Sequence, residues 1–66
     1  MLNVAATWDA RLRRWRYRLP KVGWAASTVI RTTYVSSNDT LAREARSVAG
    51  RLGVKLPKEF QLVVTR

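Results

Sequence analysis

Arg14-Trp15-Arg16-Tyr17-Arg18-Leu19 alternates without a break, three guanidiniums on one parity and two aromatic rings and a leucine on the other. A period of two is the signature of an extended strand with two unlike faces. Working upstream, Leu2, Val4, Ala6, Trp8, Ala10 and Leu12 share even parity, whereas the apolar residues from Trp15 onward are odd. A turn or bulge near Arg13 and Arg14 accounts for the switch. A helical reading competes, because Ala5, Trp8, Leu12, Trp15 and Leu19 also fall on one seam that Pro20 could end. The aromatic content and the strict alternation favour strand.

Downstream, Pro20-Lys21-Val22-Gly23 carries turn residues, and the run from Trp24 to Val35 is rich in β-branched and aromatic types, which predicts a long returning strand. Ser36-Ser37-Asn38-Asp39 ends it and offers caps, Asp39 the simplest, for a helix over about 39–52. Leu41, Ala45, Val48 and Leu52 form the expected buried stripe, with Arg43, Glu44, Arg46 and Arg51 on other faces and Glu44 placed to pair with one of those arginines. Gly53 stops the helix. Phe60-Gln61-Leu62-Val63-Val64 is a second strand, with Phe60, Leu62 and Val64 toward the core. The expected fold class is therefore α+β: a small antiparallel β-sheet, a hairpin or three strands, packed against one α-helix, with a C-terminal strand.

Sixty-six residues provide for one core, so residues 1–66 read as a single nucleic-acid-binding domain. Thirteen basic residues, ten of them Arg, against four acidic ones leave a net charge of +9. Such a surplus works against compaction and is relieved by an anionic polymer. Catalysis is not expected: the chain lacks His and Cys, and Asp9, Asp39, Glu44 and Glu59 are scattered. No metal-ligand set and no phosphate-cradling glycine loop is present, so no cofactor is called for. No stretch nears the roughly 20 apolar residues of a membrane span, and the N-terminus does not read as a signal peptide. Without cysteine, the expected setting is reducing, cytoplasmic or associated with the nucleoid or chromatin.

Between Arg11 and Arg18 stand five arginines, with Trp15 and Tyr17 among them. Arginine presents a planar donor fork that fits phosphate oxygens and stacks on flat rings. The candidate nucleic-acid-binding residues are Arg11, Arg13, Arg14, Trp15, Arg16, Tyr17 and Arg18, extended by Lys21 at the hairpin tip, Trp24, and Arg31 on the neighbouring strand. On a strand, Arg14, Arg16 and Arg18 form a row spaced by about 6.6 to 6.8 Å that can track a sugar-phosphate backbone. Trp15 and Tyr17 then face the core, the favoured placement; if instead they face out, they stack on the bases of a single strand. Trp24 either caps that core, the favoured placement, or is exposed as a stacking platform.

Trp8-Asp9-Ala10-Arg11-Leu12-Arg13, then Trp15-Arg16-Tyr17, then a helix opening near Ser37 with Ala42 and Ala45, resembles the small three-stranded-sheet DNA-binding domains of the tyrosine-recombinase arm-binding and AP2 type. The likeness covers about residues 4–52, and the long 24–35 strand and the strand after the helix are additions to that pattern. It implies a sheet docked in the major groove, with Arg11, Arg13, Arg14, Arg16 and Arg18 on phosphates or bases. The expected partner is DNA rather than RNA, bound with little sequence preference, as in chromatin or architectural proteins. An RNA-binding or ribosome-associated protein is the first alternative. A small regulator docking on an acidic protein or membrane surface is the second. The edge of the Phe60 to Val64 strand invites pairing with a second copy.

Overall fold

The computed structural model describes residues 1–65 as four strands and one helix: β1 (Asn3–Asp9), β2 (Arg14–Leu19), β3 (Gly23–Ala26), α1 (Asn38–Arg51) and β4 (Gln61–Thr65). They make one α+β domain. The strands form a single sheet in the order β3-β2-β1-β4, and the helix lies on one face.

The alternation of the second strand settles the strand-or-helix choice. Trp15, Tyr17 and Leu19 are buried, Arg16 and Arg18 exposed, and Arg14 half-buried at the strand's start. The parity switch is a turn, not a bulge. Asp9 Oδ1 accepts from the backbone N–H groups of Arg11 (3.0 Å) and Leu12 (3.1 Å), and Arg13 takes a left-handed φ of 55°. An aspartate that ties up its own downstream amides is a standard way to close such a turn. β1 then pairs antiparallel with β2, Trp8 opposite Trp15, and the two indoles meet edge to face at 5.7 Å.

The second turn, through Pro20, Lys21 and Val22, leads into a much shorter strand than the sequence predicts. β3 ends at Ala26, not at Val35. Its register explains why: Ala26 stands opposite Arg16, the Ser27 N–H reaches the Trp15 carbonyl at 2.9 Å, and β2 has no residue before Arg14 to pair with a longer partner. Ser27 Oγ then accepts from the Val29 N–H, which turns the chain away. Residues 27–37 are irregular, and β-branched propensity gives no strand where there is no ladder to join.

The helix begins one residue earlier than expected. Its N-cap is Ser37, whose Oγ accepts from the Thr40 N–H at 3.2 Å, while Asp39 sits in the first turn, where its charge suits the helix dipole. At the other end Gly53 adopts φ 74°, the Val54 N–H bonds the Ala49 carbonyl and the Gly53 N–H bonds the Gly50 carbonyl, the paired C-terminal closure that a left-handed glycine permits. The buried stripe is Leu41, Glu44, Ala45, Val48 and Ala49. Leu52 is not part of it; as the cap residue it is 44% exposed and rims a shallow groove with Pro20 and Val22.

After the helix, β4 pairs parallel with β1, Val4 opposite Leu62 and Ala6 opposite Val64, so the sheet is mixed rather than purely antiparallel. Phe60, Leu62 and Val64 pack against the core, as their parity predicts. Val4, Ala6, Trp15, Tyr17, Leu41 and Ala45 are fully enclosed between sheet and helix. No helix among the described residues is long and apolar enough to cross a membrane.

Candidate nucleic-acid interface

The helix covers one face of the sheet and leaves the other bare. Side chains on that open face follow from the register: Arg14, Arg16 and Arg18 on β2; Ala5, Thr7 and Asp9 on β1; Trp24 and Ala26 on β3; Gln61, Val63 and Thr65 on β4. The arginines thus form one row along one strand, flanked by small or apolar neighbours. Asp9 is the one acid in any strand of this sheet, and its Oδ1 is engaged by the turn amides. Asp9 stands opposite Arg14 at one end of the row and makes no salt bridge with it; the one salt bridge among the described residues is elsewhere, between Arg31 and Glu44.

The two turns extend the row at both ends. Arg11 and Arg13 are exposed in the β1–β2 turn and Lys21 is exposed in the β2–β3 turn. Arg13 and Lys21 are also the two non-glycine residues with positive φ among those described, 55° and 70°. That conformation costs a residue with a Cβ roughly 1 to 2 kcal/mol relative to ordinary backbone. Cations thus occupy turn positions where glycine or asparagine would be less strained.

Trp24 lies on the open face and not in the core, correcting the favoured expectation. The residue is 45% exposed, and the Arg16 guanidinium carbon stands 5.9 Å from its ring centroid. The physical reason is parity: Arg18 and Trp24 are cross-strand partners and point the same way. A notch of about 100 Å³ opens beside the ring, lined by Thr7, Arg16 and Trp24.

Three other candidates do not reach this face. Trp15 and Tyr17 have no exposed surface and hold the helix to the sheet. Arg31 is on an irregular segment, not a neighbouring strand, and its guanidinium donates to Glu44 Oε2 at 2.6 Å on the helix side. Glu44 also accepts from the Tyr17 hydroxyl at 2.7 Å through Oε1. Both oxygens of a buried carboxylate are thereby satisfied, which its burial requires. Burial first, then the hydrogen bond and charge of Glu44, push the Tyr17 phenol far above its ordinary value, against a smaller opposing effect of Arg31. The phenol stays a donor. The Arg31 N–H bonds the Arg13 carbonyl at 2.8 Å, so this network braces the turn that carries Arg11 and Arg13.

No local pattern points to this network, since Glu44 has three closer arginines on its own helix. Two of them have other work: Arg46 donates to the Lys58 carbonyl and lies over the Phe60 ring at 4.8 Å, and Arg51 donates to the Ala26 carbonyl at 3.3 Å. Comparisons with protein-family models, curated proteins and solved structures returned no match to this chain.

Proposed function

We propose that this domain is a non-enzymatic nucleic-acid-binding module that takes DNA in preference to RNA, holding it largely through arginine–phosphate contacts with low sequence specificity, as an architectural or nucleoid-type protein does. One observation carries the reading: Arg14, Arg16 and Arg18 stand in a single row on an uncovered sheet face, none of them in a salt bridge and with Asp9 at one end the face's one acid, while Arg11, Arg13 and Lys21 are exposed in the turns at the two ends of β2. Guanidiniums free of salt bridges in a row on a flat surface suit a regular array of external anions. Base reading has little material here, since Asn3 and Gln61 are the only amide side chains in the sheet.

Binding of a fluorescent DNA strand across a salt series tests the proposal. Four to six displaced counterions give a log–log slope of about −3 to −5. A slope near zero overturns it, as does tighter binding to matched RNA for the choice of DNA; capture by anionic vesicles in place of DNA points to the membrane alternative. The outer edge of β4 is the place where a second copy would pair, and a strictly monomeric mass at high concentration rules that out.

A further inference from the structure

The open face carries one row of cations, and that number separates two forms of DNA. A sheet laid in the major groove of a duplex, a groove about 12 Å wide, has a phosphate strand along each flank and base edges under its centre. Cations matched to such a ligand belong on the outer strands. Here the outer strands present Trp24 and Ala26 on one side and Gln61, Val63 and Thr65 on the other, while the guanidiniums sit on the inner strand β2. One row fits one backbone.

Beside that row stands an aromatic ring that takes no part in the core and meets the Arg16 guanidinium on the open face. Trp15 is fully buried and Trp8 is half-buried against the core, whereas Trp24 is 45% exposed on the face away from the helix. A base leaving the backbone sideways from the Arg row reaches the neighbouring strand after one inter-strand spacing of about 4.8 Å. Trp24 is on that strand, opposite Arg18 and diagonal to Arg16, with the Thr7 notch beside it. Every base has a π-face, so stacking on Trp24 needs no particular sequence. Bases in a duplex are already stacked on one another and leave such a ring unused.

Resting on the reading above, we infer that the occupant of this face is single-stranded DNA, its phosphates along Arg14, Arg16 and Arg18 and one unpaired base stacked on Trp24. Anisotropy titrations with an oligothymidine strand and a hairpin duplex of equal charge, on the wild type, Trp24→Phe and Trp24→Ala, test this. The single strand should bind about tenfold tighter than the duplex. Trp24→Ala should remove about that tenfold from the single strand alone, with the salt slope kept and most affinity retained by Trp24→Phe. The wild-type tryptophan emission should be quenched by the strand and not by the duplex, a readout that needs no variant to fold. Equal or tighter duplex binding, or a Trp24→Ala loss shared by both ligands, overturns the inference while a steep salt slope leaves the phosphate reading standing. A flat salt slope with both ligands removes that reading itself.

Discussion

On the helix side of β2, Trp15, Tyr17 and Leu19 are at most 3% exposed; on the other side of the same six residues, Arg16 and Arg18 stand in solvent. Neighbouring side chains thus have opposite energetics. The inner row exchanges water for packed carbon and contributes stability through burial. The outer row contributes little to stability and adds mutual repulsion, so the fold does not account for its arginines. The same division runs through the charged residues. Arg31 and Glu44 neutralise each other beneath the sheet, while Arg14, Arg16 and Arg18 share a face on which no salt bridge is formed and Asp9 is the one acid.

The strongest attempt to break this contrast is Trp15→Ala. Losing the largest fully buried side chain should cost about 3 to 5 kcal/mol, enough to unfold much of so small a domain, and chemical denaturation monitored by circular dichroism measures it. If the variant kept its stability, the helix face would not be the core. Next in size is the combined replacement of Arg14, Arg16 and Arg18 by Ala. Three lost phosphate contacts should flatten the salt slope by about 2 to 3 and weaken DNA binding about a hundredfold at moderate salt. The denaturation midpoint should hardly move, because no described hydrogen bond uses these three guanidiniums. A collapse of the fold would mean that the two faces are not separable.

The smallest effect sharpens the comparison most. Lys21→Gly relieves a left-handed φ of 70° and should stabilise the domain by about 1 kcal/mol, while reducing DNA affinity a fewfold at low salt. Opposite signs in thermal unfolding and in binding would mark the turn cation as kept for the ligand. A loss in both would assign Lys21 to the fold.

Much of this architecture was legible before any coordinates. The 14–19 alternation, the turn after Leu19, the helix with its serine-rich start and Gly53 stop, and the inward parity of Phe60, Leu62 and Val64 all depend on residues within a few positions of one another. Local backbone sterics and side-chain period suffice for such features. The 24–35 strand failed for a non-local reason: its partner runs out at Arg14, and a strand's length is set by the pair. The candidate site was legible in its arginines, since a row on one parity needs only the strand. Trp24 was not, because the side of the sheet it occupies depends on register across the second turn.

Short-range periodicity and composition thus account for the inner and outer rows of β2, the capped helix and the surplus of positive charge. Long-range packing set the parallel place of β4 beside β1, the meeting of Glu44 with Arg31 and Tyr17 and not with an arginine of its own helix, and the position of Trp24 on the open face. Those outcomes rest on contacts between segments far apart in the chain. Packing of sheet against helix selects among such pairings, and no window of a few residues contains the competing partners.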